Sequence, residues 1–143
     1  MIQAVYAENA IVCTAAKMIF LLLTVMLLTA CGQAKENEQG AIYVNITAEE
    51  AKQIMDSQEG YIILDVRTQE EYDQVHISGA ILIPDTQIKA RAEEVLTDKD
   101  QLILVYCRSG RRSKLAAEAL VELGYTNIKE FGGISDWPYE VEK

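Results

Sequence analysis

The sequence predicts an α/β domain built on a mainly parallel sheet. Three observations carry the prediction. Short apolar runs recur between residues 41 and 143, amphipathic segments fall between them, and several runs are apolar almost throughout, as in strands buried on both faces. The full chain has 143 residues, which suits one ordinary globular domain and leaves little for a second.

Residues 41–47, AIYVNIT, read as the first strand. Thr47 followed by Glu50 is a capping-box pattern, so a helix opens there with Ala51, Ile54 and Met55 on one face. YIILDV (61–66) is a second strand, and Thr68 with Glu71 repeats the capping box for a short helix. AILIP (80–84) is a third strand, ended by Pro84. A helix carrying Ile88, Ala92, Val95 and Leu96 follows, then LILVY (102–106) as the central strand. The helix after Cys107 is expected to turn Leu115, Ala116, Ala119, Leu120 and Leu123 inward. It stops at Gly124, a residue suited to the left-handed position past a helix end. NIKEF (127–131) is the last strand, ahead of GGISDWP.

The formal net charge is −9, with 13 basic against 22 acidic side chains. That balance argues against a nucleic-acid partner, which needs a broad basic face. One histidine excludes a metal site built on several imidazoles, and three scattered cysteines (13, 31 and 107) make no disulfide framework. No metal and no cofactor are expected.

Residues 17–32, KMIFLLLTVMLLTACG, place a lysine before eleven mainly apolar residues and then small ones. The run is shorter than the roughly 20 residues that span a bilayer, and its order is that of a secretory signal. Leu28-Thr29-Ala30-Cys31 resembles the lipobox of bacterial lipoproteins, which implies cleavage before Cys31 and lipidation of that cysteine. The expected organisation is a lipoprotein signal peptide at 1–30, a flexible polar tether at 31–40 and the domain at 41–143. The domain is then expected to be extracytoplasmic, lipid-anchored to a bacterial membrane.

The chemistry concentrates in VYCRSGRRS, residues 105–113. Ligands of open α/β sheets bind beyond the carboxyl ends of strands, where helix N-termini direct free N–H groups outward. Cys107 stands at such an end. The macrodipole, the orphan amides and the charges of Arg108, Arg111 and Arg112 all favour the thiolate. Gly110 lets the chain curl so that successive amides face one anion. The site is prepared for a thiolate nucleophile and an anionic substrate.

VYCRSGRRS resembles the active-site loop of the rhodanese-like sulfurtransferases, Cys-Arg-x-Gly-x-Arg-Ser. LDVRTQEEYDQVHISGAILIP (64–84) resembles the upstream signature of that family, with Val75 where it has glycine. FGGISDWP (131–138) resembles its Gly-Gly-x-x-x-Trp signature, with the Trp one residue early. The resemblance implies a three-layer sandwich around a five-stranded, mainly parallel sheet. It also implies that Cys107 takes a sulfane sulfur from thiosulfate or a persulfide donor, holds it as a persulfide, and passes it to cyanide or a thiol. Arg108, Ser109, Gly110 and Arg112 would bind the anionic donor, with Arg111 adding to the field. Asp65 and Arg67 would support the loop, and Arg67 has i,i+4 spacing to Glu71 for an ion pair. His76 is expected to be a structural hydrogen-bonder and Trp137 to pack the C-terminal segment.

Four residues separate Cys107 from Arg112. The resemblance gives phosphatases and arsenate reductases of this architecture five, so sulfur transfer fits the loop better. A membrane-tethered binding or redox-sensing module with little turnover is the second reading that the residues leave open.

Overall fold

The computed structural model describes residues 42–143, so the signal-peptide, tether and Cys31 readings lie outside the described residues. Five strands form one sheet: β1 (Val44–Asn45), β2 (Tyr61–Asp65), β3 (Ile81–Leu82), β4 (Leu102–Cys107) and β5 (Ile128–Gly133). Their spatial order is β1-β5-β4-β2-β3, and every pairing is parallel. The helices are α1 (Ala48–Ser57), α2 (Gln69–Gln74), α3 (Ile88–Val95) and α4 (Arg111–Glu122).

Both capping boxes form. The Glu50 amide donates to the Thr47 hydroxyl at 3.1 Å, and the Thr47 amide donates back to Glu50 Oε2 at 2.8 Å. The same exchange closes between Thr68 and Glu71 at 3.3 and 3.2 Å. Gly124 takes φ 89°, the left-handed conformation its place past α4 demands.

Alternation along the strands divides the core in two. Leu64, Ile103, Val105 and Cys107 face Ile88 and Ala92 of α3 and Ala116, Ala117 and Leu120 of α4. Ile63, Leu104, Tyr106 and Phe131 face the opposite way, toward Ala51 of α1 and Trp137. Helices on both faces make the three layers, and each large side chain buried between them contributes about 1.5–3 kcal/mol.

The inner face of α4 differs from the expected one. Ser113, Ala116, Ala117, Leu120 and Val121 are buried, whereas Leu115 is 51% exposed. Two apolar stripes overlap on this helix, and the hydrogen bonds of Ser113 beneath the Cys107 loop select its rotation. Val95, the last residue of α3, is likewise 40% exposed, because Ile88, Ala92 and Leu96, four positions apart, take the buried face.

Candidate active site

Cys107 ends β4, and its partner across the sheet is Gly133 on β5. Between the pairs Val105–Glu130 and Cys107–Gly133, β5 carries one residue more than β4, a bulge with Gly132 at φ 90°. The bulge turns the Gly132 amide onto Glu130 Oε1 at 2.9 Å and lays Gly133 against the Arg108 carbonyl. One turn further on, the Ser135 amide donates to that carbonyl at 3.2 Å. The glycine pair of the last signature therefore clamps the loop that follows the cysteine.

By strand alternation the thiol points to the α4 face, under the helix N-terminus, and Cys107 is 1% exposed. Gly110, at φ 93°, reverses the chain into α4 and directs its N–H at Sγ from 3.1 Å. The Ser113 hydroxyl lies 3.5 Å from the sulfur on the other side. Burial pushes the thiol upward. The Ser113 hydroxyl and the amides of Ser113, Ser109 and Gly110 outweigh it and hold the thiol below its ordinary value.

The arginines separate into tied and free. Arg112 makes a bidentate pair with Glu71, Nη1 to Oε2 at 2.7 Å and Nη2 to Oε1 at 2.8 Å. It reaches the loop with its charge already matched. The Arg67–Glu71 pair expected from spacing is not made. Arg67 lies before the N-cap Thr68, so helical i,i+4 geometry does not reach it. Its guanidinium instead holds Asp65, Nε at 3.0 Å from both oxygens, and the Val75 carbonyl at 2.6 Å. This pair is buried and lies against the Tyr106 ring. Arg108 and Arg111 are exposed, and neither has an ion-pair partner among the described residues.

A cavity of about 400 Å³ opens beside the loop, with Arg108 and Glu71 on its polar wall and Ile134, Trp137 and Tyr139 on its apolar one. A wider cleft of about 530 Å³, between Lys52, Tyr61 and Pro138, takes no residue from the loop. His76 stacks on Tyr72 at 3.9 Å, and its Nδ1 lies 3.0 Å from the Tyr72 carbonyl oxygen. Its backbone pairs with Glu142, and Trp137 packs on Phe131, so both hold the C-terminal segment.

The Arg112 pair drives the Glu71 carboxyl down from 4.5 to about 2. A carboxyl lowered by folding adds stability that is complete above its unfolded value and is lost as pH falls through the folded one. The thermal midpoint should thus drop between about pH 4.5 and pH 2. Glu71→Gln keeps the capping box, removes the charge, and should cost about 2 kcal/mol at pH 7 and little at pH 2. Parallel midpoint–pH curves for the two proteins would refute this.

Three site features escaped the sequence reading: Ser113 beside the sulfur, Glu130 behind Ser113, and Glu71 as the partner of Arg112. Ser113 stood within the recognised loop. The only signal at Glu130 was an acid two positions after Ile128 in NIKEF, which by strand alternation puts it on the same face as that apolar residue.

Amides at a parallel strand end, under a helix N-terminus, thus hold the buried thiol of this α/β domain below its ordinary value. The chain belongs to the rhodanese-like domain family, whose pattern it matches over residues 47–139. Thiosulfate sulfurtransferase PspE of Escherichia coli is 44% identical over 73 residues, covering 51% of this chain and 70% of that protein. YrkF of Bacillus subtilis is 37% identical over 112 residues, covering 78% of this chain and 60% of that protein, so under two thirds of its length is matched. A solved rhodanese with anions from Escherichia coli superposes with a TM-score of 0.55 at 40% identity, over 58% of this chain and 98% of that one. The rhodanese-like domain of the Anabaena Alr3790 protein gives 0.65 at 26% identity, over 71% and 80%. Family and relatives support sulfur transfer in the broad sense.

Proposed function

We propose that this protein is a sulfurtransferase that carries sulfane sulfur on Cys107 as a persulfide. The observation that carries the reading is the Cys107 sulfur itself, lowered toward thiolate and facing the Gly110 amide at 3.1 Å. In the first half of the cycle, the thiolate attacks the outer sulfur of thiosulfate. The S–S bond of the donor breaks, sulfite leaves with its electron pair, and the negative charge passes to the outer sulfur of the persulfide. In the second half, cyanide or a thiolate attacks that sulfur and Cys107 departs as thiolate. The same N–H groups that hold the thiolate stabilise the persulfide anion.

Arg108 and Arg111 supply the free positive charge for the donor, and the enclosed sulfur favours a small one. Arg112, matched by Glu71, shapes the loop more than it adds to the field. The same reading anchors the domain outside the cytoplasm through lipid on Cys31. Its check is membrane fractionation, which Cys31→Ser should abolish.

The test of the cycle is intact-mass analysis after incubation with thiosulfate and then cyanide. One sulfur gained at Cys107, and removed by cyanide with release of thiocyanate, is the expected result. A folded protein that takes up no sulfur from thiosulfate or a persulfide donor would overturn the reading.

A further inference from the structure

The cavity beside the loop is larger than thiosulfate or cyanide requires. Its volume, about 400 Å³, falls within the roughly 300–1,000 Å³ of sites that enclose drug-sized molecules, whereas those two anions are a few atoms each. It begins one residue from the nucleophile on both strands. Arg108 follows Cys107, and Ile134 follows Gly133, the sheet partner of Cys107. The Ser135 amide, donating to the Arg108 carbonyl at 3.2 Å, ties this corner together.

The wall divides by chemistry. Val75, Ile134, Trp137, Tyr139 and Val141 supply apolar surface. The charged side chains on it are Arg67, Glu71 and Arg108. Arg67 is matched by Asp65 and Glu71 by Arg112, so the charge left over among the described residues is that of Arg108. Val75 is also where the chain departs from the glycine of the family signature, so part of the apolar wall is particular to this chain.

We infer that this cavity selects the sulfur acceptor, and that the acceptor is an organic thiol with an apolar body and a carboxylate. The body lies along Val75, Ile134, Trp137 and Tyr139, and the carboxylate meets the Arg108 guanidinium, whose planar fork fits it. A slender thiol end suits the enclosed sulfur. Sulfite has left before the acceptor arrives, so Arg108 serves donor and acceptor in turn. The acceptor thiolate attacks the outer sulfur of the Cys107 persulfide. The bond between the two sulfurs breaks, and its electron pair leaves on Cys107. The acceptor departs as an organic persulfide anion, and total charge is unchanged. The inference rests on the persulfide reading of Cys107.

The test is discharge of the preloaded persulfide, followed by intact mass, with alkyl thiols of similar basicity: ω-mercaptohexanoate, ω-mercaptohexanol and mercaptopropionate. Preloading keeps the donor step out of the measurement. Burial of one methylene is worth about fourfold in binding, and a hydrogen bond to a charged group about tenfold or more. The hexanoate should therefore discharge the protein at least about tenfold faster than either of the others. Arg108→Gln should bring hexanoate and hexanol together while both stay ahead of mercaptopropionate. Val75→Gly, which places the family residue at an extended position, should narrow the lead of the hexanoate over mercaptopropionate by about fourfold. Wild-type protein that discharges to all of these thiols at comparable rates overturns the inference, and that comparison needs no variant to fold. A lead over the hexanol that survives Arg108→Gln also overturns it. A protein that loads no sulfur overturns the persulfide reading and this inference with it, whereas loading followed by indiscriminate discharge leaves the cycle standing.

Discussion

Cys107→Ser is expected to abolish sulfur transfer and leave the fold in place. An alcohol in this position does not ionise near neutral pH, and oxygen cannot take the place of sulfur in a persulfide link. The loss should be roughly 10⁴-fold or more, the scale on which removal of an enzyme nucleophile acts. The serine hydroxyl would still meet the Gly110 N–H and Ser113, the partners Sγ has now. A buried polar atom that keeps its partners costs little, so the stability change should stay within about 1.5 kcal/mol. The two measurements are thiocyanate production from thiosulfate and cyanide, and the thermal midpoint. Sulfur uptake by a folded Cys107→Ser protein would move the carrier away from this residue and sink the mechanism.

Gly133→Ala should be the most damaging single methyl in the domain. Gly133 has φ −135°, an extended conformation open to any residue, so backbone strain is not the objection. Space is. A Cβ there would stand 2.1 Å from the Arg108 carbonyl oxygen, 2.5 Å from its carbon and 2.6 Å from Ser109 Cα. These are backbone atoms of the loop directly after Cys107, with no flexible side-chain end to swing aside. Relief requires the loop to move by about an ångström, away from the geometry that points the Gly110 amide at sulfur. A misplacement of that size costs about 10²-fold in rate, and overpacking costs about 1–3 kcal/mol in stability. Steady-state kinetics well below the melting point separate the two effects. A kcat/KM within twofold of wild type would show that the clamp between β5 and the loop is dispensable.

The two predictions differ in how visible they were beforehand. Cys107, Gly110 and the arginines are neighbours in the chain, and their spacing at a strand-to-helix junction carried the chemistry. The capping boxes at Thr47–Glu50 and Thr68–Glu71 were equally legible, since both partners lie within one helical turn. Gly133 was legible only as half of a glycine pair. What it presses against depends on the β4–β5 register and on the one-residue bulge, neither of which local pattern specifies.

Charge pairing shows the same division. Sequence spacing assigned Glu71 to Arg67, yet Glu71 meets Arg112, 41 positions away, because α2 and the start of α4 converge beyond the strand ends. Arg67, outside the helix, folds back on Asp65. Ser113 and Glu130 are 17 positions apart and meet only because α4 packs over β5. The sequence by itself thus determined the elements, the parallel α/β class and the place of Cys107 at a strand end ahead of a helix, since each depends on residues within a few positions of one another. Only the tertiary structure decided which arginines stay free, which acid stands behind Ser113 and which glycine holds the loop, because those partners come together only when separate strands and helices pack.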